Sequence, residues 1–88
     1  MKIPKQLKIG GHVYKVVLKK GPISDSDEQG YVDDEKGEIV LRSNVPKSHL
    51  ETSLIHEILH CLNSVMNHEL IDSLSEQIYQ VFKDNKLL

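Results

Sequence analysis

The residues best suited to chemistry are His56-Glu57-Ile58-Leu59-His60, an HExxH pattern. Histidines at i and i+4 of a helix point the same way, one turn above the other. Both imidazoles can then reach one zinc ion at about 2.0–2.1 Å. Glu57 lies next to that face; in such a pattern it is not a ligand but takes a proton from water at the ion. A hydrolytic zinc site uses three protein ligands and keeps the fourth position open. The third must come from the segment that follows, where His68, Glu69, Asp72 and Glu76 are the candidates. His68 and Asp72 share one flank of that segment, and Glu76 would lie nearest the level of the motif in a tight helical hairpin. Spacing alone does not choose among them.

The motif needs a helix, and the sequence supplies one. Leu50, Leu54, Ile55, Ile58, Leu59, Leu62, Val65 and Met66 recur at helical spacing. At about 100° per residue, His56 and His60 project almost opposite the stripe of Leu54, Ile58, Leu62 and Val65, and so face a cleft or solvent. Pro46 suits a first helical turn, and Ser48 to Glu51 has capping-box spacing that would start the helix two residues later. The polar stretch from Asn63 to Asn67 ends this helix. A second, from about Glu69 to Lys83 with Asn67 as its N-cap, carries Leu70, Ile71, Leu74, Ile78, Val81 and Phe82. His49 stands about 10 Å along the axis from His56, too far to share an ion but able to flank the cleft. Cys61 reads as a small core residue. His12 receives no role.

The first 45 residues are glycine-punctuated and rich in β-formers. Leu7 and Ile9 lead into Gly10-Gly11, a two-residue hairpin signal, and His12 to Lys19 reads as the next strand. An acidic loop, Gly21 to Glu28, reads as a solvated turn. Gly30 to Asp33 and Glu38 to Arg42 flank Asp34-Glu35-Lys36-Gly37, a second hairpin with its glycine in the left-handed region. The expectation is a single α+β domain over residues 1–88: a small, mainly antiparallel sheet of three or four strands, the HExxH helix, and a C-terminal packing helix.

Composition narrows the function classes. The chain has 88 residues, 39% hydrophobic and 27% charged, as in a folded globular domain. A net charge of −2 provides no basic face for nucleic acid. One cysteine cannot form an internal disulfide. No apolar leader follows the N-terminus, and no run approaches the roughly 18 residues of a membrane span, so a cytoplasmic protein is expected.

On these residues the chain resembles the small zincin-like metallopeptidases of phage and mobile elements, of the ImmA/IrrE and minigluzincin type. Leu54-Ile55 before the motif, Leu74-Ser75, and Tyr79 to Asn85 carry the likeness, which covers the second half well and the sheet by architecture only. The resemblance implies a zinc site, Glu57 as general base, and a peptide or protein substrate, such as a phage or host regulator, laid along an edge strand. It places the third ligand on His68, where that group usually has glutamate, and makes Asp72 a partner that orients a ligand histidine. Glu38 to Arg42 is the strand expected to hold the substrate if it is an edge. Against the peptidase stand a zinc-stabilised binding module with little turnover and a metal-free regulatory protein with a coincidental motif.

Overall fold

The computed structural model describes residues 2–21, 29–63 and 65–88. The acidic loop expected between Gly21 and Glu28 lies, beyond Gly21, outside the described residues. Four strands, β1 (Gln6–Ile9), β2 (His12–Lys19), β3 (Gly30–Asp33) and β4 (Glu38–Arg42), precede two helices, α1 (Lys47–Leu62) and α2 (His68–Asp84). The α+β class therefore holds.

The hairpins form where their glycines allow. Gly10 and Gly11 both have positive φ, 58° and 83°, as a tight primed turn between β1 and β2 requires. Gly37, at φ 62°, closes the turn between β3 and β4, and the Asp33 carboxylate there accepts the Lys36 N–H at 3.1 Å.

The strand order is β1-β2-β4-β3, with β2 and β4 parallel and the two hairpins antiparallel. The sheet is thus mixed, and Glu38–Arg42 is a central strand, so the condition for its holding a substrate as an edge is not met. The reason is its unbroken apolar run: Ile39, Val40 and Leu41 are all fully buried, as suits a strand flanked on both sides. The edge position falls to β3, half-buried throughout.

The core lies between one face of the sheet and α1. Ile9, Ile39, Leu41 and Leu54 form its centre, with Leu50, Ile58, Cys61, Tyr14, Val16 and Val32 packed around them. Leu62 and Val65, expected to extend the stripe, are exposed, because α1 ends at Leu62 and helical phase no longer applies beyond it. α1 begins directly after Pro46, and the Ser48–Glu51 capping pair does not form. Glu51 turns inward instead, is 1% exposed, and accepts the Tyr79 hydroxyl at 3.2 Å.

α2 packs on α1 and, among the described residues, on no strand. It starts at His68, one residue before the expected position. The Asn67 side chain caps it by accepting the N–H groups of Glu69 and Leu70 at 2.8 and 3.2 Å. Its buried residues are only Ile71 and Ser75. Lys83 donates to the Tyr79 hydroxyl at 3.0 Å, so a chain of hydrogen bonds from Lys83 through Tyr79 to Glu51 ties its far end to α1. No helix of the described residues is long and apolar enough to cross a membrane.

Candidate metal centre

α1 carries His56 and His60 on successive turns, and their Nε2 atoms stand 3.0 Å apart. α2 returns antiparallel after a short connection, so its first turns lie beside the last turns of α1. His68 faces His60 with ring centroids 5.4 Å apart and His56 at 5.0 Å. One ring nitrogen from each of the three histidines lies within 4.8 Å of the others. Three nitrogens around a tetrahedral zinc stand about 3.3–3.4 Å apart, a spacing close to that of this cluster. The donor chemistry fits as well: imidazole nitrogens are common zinc ligands.

One turn further along α2, Asp72 Oδ1 is 3.0 Å from His56 Nδ1. A carboxylate there fixes the ring and its tautomer, with Nδ1–H donating and Nε2 left as the basic atom that faces the other histidines. The other Asp72 oxygen lies 3.6 Å from His68 Nε2. Glu57 is buried on α1, 5% exposed.

Of the other candidates for third ligand, Glu76 lines the same cleft without joining the nitrogen cluster, and Glu69 is exposed at the start of α2, off the cleft. His49 flanks the cleft, as its position on α1 suggests. His12 is exposed on β2. Cys61 packs against the core and also borders the cleft. Burial first, and then the negative charges of Asp34 and Glu57, pushes its thiol above the ordinary value and keeps it in the neutral form.

The cleft is open and holds about 840 Å³. α1 forms its floor, β3 one wall and α2 the other. Gly30 on β3 is a site residue that motif reading passes over. A Cβ there would stand 2.9 Å from the Val40 carbonyl oxygen, 3.0 Å from Leu41 Cδ2 and 3.3 Å from Glu57 Oε2. Glycine thus lets the edge strand approach the Glu57 carboxylate; the signal was a lone glycine opening a strand-like run. Gly30→Ala is expected to destabilise the fold by about 1–3 kcal/mol through overpacking, read from urea unfolding. Unchanged stability would mean that β3 has room to spare beside Glu57.

Compared with known proteins, the chain matches no family model, no curated protein and no solved structure.

Proposed function

We propose that this protein is a zinc-dependent peptidase of HExxH type, with His56, His60 and His68 as ligands and Glu57 as general base. One observation carries the reading. Three histidine nitrogens from two helices converge in an open cleft, with a carboxylate behind one ligand and that of Glu57 lining the same cleft. Core histidines would be enclosed, whereas His68 is 64% exposed at its side chain.

Zinc held there would supply Lewis acidity, polarising a scissile carbonyl and making a nearby water more acidic. The chain's residues would do the rest. Asp72 holds the His56 ring by accepting its Nδ1–H. Glu57 accepts the water proton as the oxygen attacks the carbonyl carbon, then delivers it to the amine as the C–N bond breaks. β3, with β4 on one side and, among the described residues, no strand on the other, offers its outer edge to an extended substrate. The cleft is open and bordered by the edge strand β3, so an extended, unstructured peptide fits it better than a folded protein.

A second reading, a zinc-stapled binding module without turnover, is favoured by one feature: α2 buries little and, among the described elements, packs only on α1, so an ion joining the two helices would also hold the fold together. The test is hydrolysis of a pool of quenched-fluorescent peptides by zinc-loaded protein. The peptidase reading expects cleavage that chelation abolishes and added zinc restores. Zinc uptake without cleavage of any peptide would leave the binding module.

A further inference from the structure

The charge of the cleft goes beyond what hydrolysis requires. Its carboxylates are Asp34, Glu57, Asp72 and Glu76, and no lysine or arginine lines it among the described residues. A divalent ion at the histidines would balance two of these, Asp72, which lies against His56 and His68, and Glu57, the next residue along the chain from His56. Asp34 and Glu76 are left over.

These two stand at opposite ends. β3 runs alongside α1: Ser53 donates to Gln29 at 3.3 Å, and Gly30 lies against Glu57. Asp34 follows β3 at the Cys61 end, where the Tyr14 hydroxyl donates to it at 3.3 Å. Tyr14 is a neutral partner and leaves the charge of Asp34 uncancelled. α2 runs the other way. Asp72 lies by His56, so Glu76, one turn on, is level with Thr52. From Cys61 to Thr52 the axis of α1 covers about 13 Å, the span of about four residues of extended chain.

Resting on the peptidase reading, we propose that the cleft selects an extended peptide with a basic residue on each side of the reacting bond, about four residues apart, one held by Asp34 and the other by Glu76. The outer edge of β3 supplies main-chain pairing, and the charge supplies selection. A cleft of one sign also draws cationic peptides in from solution, an attraction that salt weakens.

The experiment uses zinc-loaded Glu57→Gln protein, which should hold a peptide without cutting it. Three fluorescent peptides differ only at two positions four apart, carrying Lys, Gln or Glu. The Lys peptide is expected to bind about tenfold more tightly than the Gln peptide, as for two partly exposed ion pairs, and the Glu peptide more weakly than either. The advantage should shrink from about 0.05 to 0.5 M salt. It should fall to within about twofold in an added Asp34→Asn/Glu76→Gln pair whose zinc content and circular dichroism are unchanged. Equal affinities, a Lys advantage untouched by that pair, or no binding of any peptide would overturn the proposal. Lys preference in a chain whose unmodified form cuts nothing would support it as a binding specificity and sink the peptidase reading alone.

Discussion

Glu57→Gln is expected to keep zinc and lose hydrolysis by at least about 10²–10⁴-fold, the usual contribution of a positioned general base. Glutamine matches the volume of glutamate, so the close packing against Gly30 survives. Its amide cannot accept the water proton at neutral pH, and no ligand is touched, because the three converging nitrogens belong to histidines. Loss of rate with zinc retained would separate the proton-transfer role from any structural one. Parental cleavage by the variant would remove Glu57 from the mechanism.

The second large effect concerns stability. Among the described elements α2 packs on α1 alone, through Ile71, Ser75 and the hydrogen bonds at Tyr79. An ion shared by His56 and His60 of α1 and His68 of α2 would tie the two helices near their connection, and its binding energy would become folding energy. Free zinc at 100 times its Kd should add about 2.7 kcal/mol. In a domain of this size that raises Tm by on the order of 10–20 °C. Differential scanning calorimetry with and without zinc should show the shift in the unmodified chain and not in His68→Ala. Asp72→Ala should weaken zinc about 10–100-fold, as loss of a ligand's orienting partner does elsewhere. A Tm indifferent to zinc would mean that the ion does not bridge the helices.

Sequence reading found the local features and missed those set at a distance. Both hairpins, the start of α1 after Pro46 and the Asn67 cap of α2 are written in single residues whose conformational preferences act locally. The side-by-side placement of His56 and His60 follows from helix geometry alone. The strand order does not, because β4 enters between β2 and β3 only once the chain has crossed from one hairpin to the other. Even so, the unbroken Ile39-Val40-Leu41 run was a legible sign of a central strand. Glu51 looked like half of a capping box. It is drawn inside by Tyr79, 28 residues further along, a partner no local pattern reveals. The meeting of His68 with the motif, and of Asp72 with His56, depends on how α2 crosses α1, which is why residue spacing left four candidates for the third ligand.

The central claim is that one metal ion sits among His56, His60 and His68, and metal content tests it most directly. The purified chain and its His56→Ala, His60→Ala and His68→Ala variants would be exchanged into zinc, freed of excess, and measured by mass spectrometry of the native protein. One zinc per chain, lost in all three variants while the helical circular dichroism remains, is the predicted result. Zinc that survives His68→Ala would move the third ligand elsewhere, with Asp72, 3.0 Å from His56, the nearest carboxylate on α2. A folded chain that takes up no zinc at all would contradict the claim and leave the HExxH pattern a coincidence of a polar helix face.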